Sequence, residues 1–278
     1  MTTNNGALAA QIEQLAVATG QLALWALGQH GFIIKGGDHT IVIDPYLSDS
    51  VAAVAPANTR LIPIVIEPHE LTMIDTILIT HQHLDHCDPE TLRPLLQAAP
   101  QARVIGSYAV RDEFSRQGFD TARITVPPVD QPIVIDEQLL ITPVPAAHYE
   151  HEPDDAGNPA YLGFLITLGG VTLYHSGDTV IYPGLTDRLK ARAIDLACLP
   201  INGRDWYREQ QGLVGNMDYR EAAELVAEAG IKVLIPAHND LFAGNRINPA
   251  YLLDYLATTH PRQRVHFLQA GELYLYAG

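Results

Sequence analysis

Only two cysteines, Cys87 and Cys198, occur in the 278 residues, too few for a disulfide framework. Both read as small packing side chains, although Cys87 falls inside a histidine-rich segment. Basic residues are scarce as well. Against 32 Asp and Glu there are 17 Lys and Arg, which gives a formal charge of −15 and a pI near 5.1. A field of that sign repels phosphate backbones and argues against nucleic acid as a partner. It still admits a small anionic substrate, because a bound metal or a local arginine pair can override it. No Lys or Arg precedes Lys35, so the basic start of a secretory signal is missing. No apolar run is long enough to span a bilayer, which leaves the cytoplasm as the expected setting and a membrane partner unexpected. Linkers are lacking too, so residues 1–278 are expected to form a single domain.

What the sequence does have is apolar material in short β-rich pieces, with 47% hydrophobic residues overall. Runs at 22–28, 31–36 and 40–45, separated by Gly, Asn/Asp or His turns, predict an antiparallel meander. An amphipathic helix is expected over 7–19, with Leu8, Ile12, Leu15 and Thr19 on one face and Gly20 as its stop. A proline-dotted, irregular stretch covers 46–71. A buried strand at 76–80 follows, then helical periods at 89–98 and 108–117 alternating with strands at 102–105 and 139–144. The theme then returns. Strands at 161–168 and 171–175 form a hairpin across Gly169-Gly170, with further strands at 195–199 and 232–236. A helix over 219–229 carries Asp218 as N-cap, Glu221 at the capping-box position and Gly230 after its end. Another helix begins at Asn248-Pro249, and strands at 264–269 and 272–276 close the chain. Antiparallel clusters and β–α alternation, each occurring twice, predict an α/β (α+β) fold: an αββα sandwich of two mixed sheets with outer helices.

The segment THQHLDHC, residues 80–87, carries the chemistry. It places His81, His83, Asp85 and His86 at the end of an apolar strand. Side chains alternate along a strand, so His81 and His83 point the same way and can reach one ion. Where the chain turns away, Asp85 and His86 can face a second ion. Imidazole with carboxylate suits Zn or Mn, with Fe as the alternative. His148 in PVPAAHY, Asp178 in LYHSGDT and His238 in LIPAHND lie just past other strands, where loops on a rigid scaffold carry function. His151, three residues beyond His148, competes with it.

The order HxHxDH, His, SGD, His resembles the metallo-β-lactamase superfamily over nearly the whole chain. More narrowly, LALWALGQHGFIIKGGDHTIVIDPY, THQHLDHCD, LYHSGDT and LIPAHNDLF resemble the L-ascorbate 6-phosphate lactonase-like metal-dependent hydrolases. The resemblance implies His81, His83 and His148 on one metal, Asp85, His86 and His238 on the other, and Asp178 bridging. It also implies that Asp44, in VIDPY, orients a ligand histidine. The lactonases proper lack a histidine where His148 falls, which favours a more general hydrolase.

A metal-dependent hydrolase acting on a lactone or related ester of a small polar molecule, a phosphorylated sugar among the candidates, is the function expected. Ions held by such a set acidify bound water and polarise a carbonyl or phosphoryl oxygen. Asp85 and Asp178 are the catalytic candidates, Asp85 as the carrier of a proton to the departing alkoxide. Arg204, Tyr207, Arg208 and Asn239 are the candidate substrate contacts, since arginines clamp phosphate. The loops 150–160 and 201–217 are expected around the substrate. Alternatives are a phosphodiesterase on a small phosphodiester and a di-iron redox protein on the same fold. Homo-oligomerisation is left open.

Overall fold

Strand β1 (Gln21–Gly28) turns into β2 (Gly31–Gly36), and β2 into β3 (His39–Ile43), as an antiparallel meander that pairs Trp25 with Ile33 and Ile33 with Val42. The computed structural model describes residues 5–210 and 212–278. Alternation along β1 sorts its side chains: Leu22, Leu24 and Ala26 enter one apolar cluster, Ala23, Trp25 and Leu27 another. Both faces of the strand are therefore buried, which is why it reads as a continuous apolar run rather than an alternating one.

The chain continues through β4 (Thr76–Ile79), β5 (Arg103–Gly106), β6 (Ile124–Thr125), β7 (Ile133–Val134), β8 (Leu139–Pro145), β9 (Leu162–Leu168), β10 (Val171–His175), β11 (Leu196–Pro200), β12 (Val233–Ala237), β13 (Arg264–Val265) and β14 (Leu273–Ala277). They form two mixed sheets, ordered β14-β1-β2-β3-β4-β5-β6 and β13-β12-β11-β10-β9-β8-β7. The inner faces meet in one cluster, where Phe32, Ile41 and Leu78 of the first sheet share a core with Ile141, Phe164 and Ile235 of the second.

Helices cover the outer faces. Ile12 of α1 (Asn5–Gln14) and Leu92 and Leu95 of α3 (Pro89–Ala98) pack in the cluster of Trp25, Val42 and Ile77. Leu225 and Val226 of α7 (Tyr219–Ala229) and Leu252 of α8 (Ala250–Thr259) pack with Leu165, Leu199 and Leu234. Shorter helices complete the set: α2 (Ser50–Val54), α4 (Tyr108–Arg116), α5 (Leu185–Lys190) and α6 (Trp206–Glu209). This is the expected αββα sandwich. Helix α7 has the full capping box of Asp218 and Glu221, and Gly230 caps its end at φ 71°. Helix α1 stops at Gln14, short of Thr19, because the Lys35 ammonium takes the carbonyls of Ile12 and Glu13 at 2.6 and 2.9 Å. That side chain caps the helix from β2. Both cysteines are buried in apolar clusters, Cys87 behind the first sheet and Cys198 between the sheets, and burial pushes both thiols up.

Candidate metal centre

The histidine motif begins where β4 ends. Asp44, just past β3 and in the left-handed region at φ 45°, accepts from Thr80 N at 2.8 Å and Thr80 Oγ1 at 2.6 Å. Since the Thr80 hydroxyl donates to Asp44, it can only accept from His81 Nδ1, 3.0 Å away. Asp44 Oδ2 likewise takes the proton of His86 Nδ1 at 2.8 Å. Both imidazoles are thus held with Nδ1 protonated and Nε2 turned inward, where each Nε2 is buried without a partner. A hydrogen bond that fixes one ring nitrogen in this way prepares the other for a metal. The chain bends at His83, whose carbonyl accepts from both His86 N and Cys87 N at 3.0 and 2.7 Å.

The other strand exits converge on this loop. Asp178 follows β10 through Gly177, at φ 59°, where an added Cβ would stand 2.5 Å from the Leu162 carbonyl, so only glycine fits. Asp178 lies 3.5 Å from His86 Nε2 and 3.1 Å from His238 Nε2. Asp85 lies 3.6 and 3.7 Å from the same two nitrogens. The His148 ring stands 5.1 Å from His83 and 5.8 Å from His81, centre to centre. His151 does not join them. Its Nδ1 is 2.9 Å from the Ala146 carbonyl and its ring lies edge-on to Tyr182. Thr179 ties two exits together, accepting from Ala147 N at 3.0 Å. Two groups bring donor atoms within 4.8 Å of one another, His81–His86–Asp178 and Asp85–His86–His238, and either could hold an ion.

The electrostatics fit a cation. Burial pushes His81 well down, His83 down, and His148 down to about 4, so these rings stay neutral donors. Burial also opposes a charge on His86 and His238, yet the carboxylates of Asp178 and Asp85 raise both. Burial likewise opposes ionisation of Asp178, which His238 and His86 nonetheless hold well below the usual carboxylate range. Carboxylates that hold protons on neighbouring imidazoles would equally favour a divalent ion there.

A cavity of about 220 Å³ opens onto His83, Asp85, His148, Asp178 and His238, with Val51, Asn58, Leu213, Val214, Phe242 and Asn245 around them. The expected substrate contacts are not in this wall. Arg204 is paired with both oxygens of Glu221 at 2.6 and 2.7 Å, and Arg208 with Asp205 at 2.6 Å and the Asn202 carbonyl at 2.9 Å. Their guanidinium groups brace the loop after β11. Tyr207 is 70% exposed, away from the lining. Asn239 lines a separate cavity of about 760 Å³ that also takes in Gln29 and Asp240. Of the two loops expected at the substrate, 201–217 contributes through Leu213 and Val214, while the lining has no residue of 150–160.

Two residues in contact with the cluster, and a third packed behind them, escaped the sequence reading. Gln29 and His30 lie in the β1–β2 turn, and His175 ends β10. Gln29 Nε2 donates to Asp85 Oδ2 at 2.7 Å, and His30 Nδ1 lies 3.4 Å from Asp178 Oδ1. His175 Nε2 donates to the His30 carbonyl at 2.8 Å. The available signal was two polar residues at the tight turn Gly28–Gly31 of an otherwise apolar hairpin.

A two-sheet sandwich with a His/Asp cluster at its strand ends defines a metallo-β-lactamase fold. A family model described as the Beta-lactamase superfamily domain matches residues 39–239, and the chain belongs to the metallo-β-lactamase superfamily. A relative from Hyperthermus butylicus, named a UPF0173 metal-dependent hydrolase, is 27% identical over 252 residues, spanning 90% of this chain and 97% of its own. Among solved structures, an isothiocyanate hydrolase from Delia radicum gut bacteria superposes with a TM-score of 0.73 at 15% identity, over 92% of this chain and 100% of that one. CmlA, a diiron β-hydroxylase from Streptomyces venezuelae, gives 0.66 at 14% identity, over 95% of this chain and 55% of its own. At such identities the likeness to the two structures is one of fold.

Proposed function

We propose that this protein is a metal-dependent hydrolase that opens a lactone or related ester of a small, uncharged polar molecule. The observation that carries the reading is the convergence of buried, inward-facing imidazole nitrogens with Asp85 and Asp178 on one cavity. The name of the Hyperthermus relative supports the metal-dependent hydrolase part of it. On this reading His81, His83 and His148 would hold one ion and Asp85, His86 and His238 a second, with Asp178 a ligand available to both. Bound there, the ions supply water acidified to near-neutral pKa and a Lewis acid for the substrate oxygen. The chain does the rest. Asp44 and Thr80 hold the His81 and His86 tautomers, and Asp85, at the cavity wall, would take the proton released by the attacking water and pass it to the departing alkoxide.

The wall supports an uncharged substrate over a phosphorylated sugar. Its described lining has no Lys or Arg, and Arg204 and Arg208 are already paired. Asn58 and Asn245 offer neutral hydrogen bonds, while Leu213, Val214 and Phe242 offer an apolar surface. A second reading, hydrolysis of a small phosphodiester, draws support from Asp178 lying within 4.8 Å of the His81 and His86 donor atoms and 3.1 Å from His238 Nε2, within reach of two positions, since paired ions also serve in-line displacement at phosphorus.

Metal analysis of the purified protein, with a panel of neutral lactones, phosphorylated lactones and phosphodiesters, tests the proposal. Zinc or manganese at one or two equivalents and chelator-sensitive opening of the neutral lactones is the expected result. Phosphodiester cleavage without lactone opening moves the assignment to the second reading. Iron with visible absorbance and no hydrolysis replaces it with di-iron redox chemistry.

A further inference from the structure

We propose that Gln29 is an additional oxygen donor at the second metal position, an inference that rests on the metal-dependent reading above. Its carboxamide stands among the proposed ligands, with Nε2 2.7 Å from Asp85 Oδ2 and 3.1 Å from His238 Nε2. Donors that share one first-row divalent ion at ~2.1 Å each lie ~3 Å apart along the edges of the coordination shell. The Gln29 amide is therefore spaced from Asp85 and His238 as a third donor would be. A carboxamide presents its oxygen or its nitrogen at one point by a half-turn about its last bond. With nitrogen inward it donates to Asp85. With oxygen inward it offers a lone pair to the ion that Asp85 and His238 would hold. The oxygen is the half of the amide now left over, buried without a hydrogen-bond partner on a residue only 3% exposed.

The backbone supplies an independent argument. Gln29 sits at φ 55°, a left-handed conformation unfavourable for a residue with a Cβ. Two bonds hold it there: Gln29 N donates to Asp240 Oδ1 at 3.0 Å, and His238 N donates to the Gln29 carbonyl at 2.6 Å. His238 is itself at φ 57°. The two strained residues lock each other, so the side chain of one is delivered beside the imidazole of the other. Strain concentrated in this way belongs to positions whose geometry is used.

With Gln29 included, the second position draws oxygen from Asp85, Asp178 and Gln29 and nitrogen from His86 and His238. The first draws nitrogen from His81, His83 and His148, with Asp178 shared. The harder set favours manganese or iron at the second position, and the imidazole-rich set zinc at the first.

The test is calorimetric titration of chelator-stripped protein with Mn²⁺, comparing wild type with Gln29→Ala, Gln29→Leu and Gln29→Glu, each checked for fold by its thermal midpoint. Wild type is expected to take two equivalents. Alanine and leucine variants should keep the first within twofold and weaken the second about tenfold or more, while the glutamate variant holds both. A second equivalent bound as tightly as in wild type, or more tightly, in the alanine and leucine variants overturns the inference, since the amide would then be a hydrogen-bond donor or an obstruction. Wild type taking one equivalent also overturns it but leaves the hydrolase standing. Wild type taking none overturns both.

Discussion

In the first sheet, antiparallel pairing runs from β14 through β1 and β2 to β3, and parallel pairing from β3 through β4 and β5 to β6. The second sheet repeats that order from β7 to β10 and from β10 to β13. The two halves nevertheless supply the site differently. The first concentrates His81, His83, Asp85 and His86 in one loop, pinned by Asp44. The second sends single residues from separate exits, His148 after β8, Asp178 after β10 and His238 after β12. A concentrated set needs only local geometry to assemble. A dispersed set needs the whole sheet, and two of its members rest on a backbone device of their own, Asp178 on Gly177 at φ 59° and His238 on its own φ of 57°.

The comparison breaks first at the ligands themselves. His83→Ala, from the concentrated loop, and Asp178→Ala, from a dispersed exit, should each lower metal-dependent turnover by ~100-fold or more with the fold largely intact. Turnover near wild type in either variant, at normal metal content, would sink the assigned site. Asp44→Asn comes next. It keeps the side chain's shape and tolerates the left-handed backbone, but sets an amide N–H against the donors of Thr80 and His86. Metal affinity should fall ~10–100-fold and stability by ~2 kcal/mol, read by titration and by urea unfolding.

The second half also carries a proton-linked term. Burial pushes His175 down from 6.5 to about 3, so between those values the unfolded chain binds a proton that the folded one does not. The contribution is complete above pH 6.5 and is lost as pH falls towards 3. At pH 5 it amounts to ~2 kcal/mol lost relative to pH 7. His175→Gln in chelator-stripped protein should make stability less steep against pH by up to one proton, and an unchanged slope would refute the buried-neutral assignment. The smallest effect is expected at Arg204→Ala. Its partly exposed pair with Glu221 is worth less than ~1 kcal/mol, and KM should stay within about twofold. A large rise in KM would restore Arg204 as a substrate clamp.

Much of the fold was legible because burial on both faces leaves long apolar runs, as in β1 and β9, and because α7 advertises both its ends with Asp218 and Gly230. The two-residue strands β6 and β7 were not, since pairing rather than composition makes them strands, and of the strand expected at 264–269 only Arg264–Val265 pairs, as β13. His81, His83, Asp85 and His86 could be read as candidate ligands from their spacing, and Asp44 came from the family resemblance. The brace of Arg204 to Glu221 could not, because a charge in a loop does not announce its partner. Gln29 and His30 were invisible for a similar reason: polar residues at a tight turn are ordinary until the second sheet is laid against them.

Strand β14 pairs with β1, Gln21 lying opposite Ala277. On the ribosome, β1 emerges well before β14, and its outer edge stays unpaired until β14 arrives. Closing a contact so remote in sequence is slow, and an open strand edge invites pairing with another chain. During synthesis the flank of the first sheet is therefore an aggregation-prone edge, and its closure by β14 is a step a chaperone would shelter.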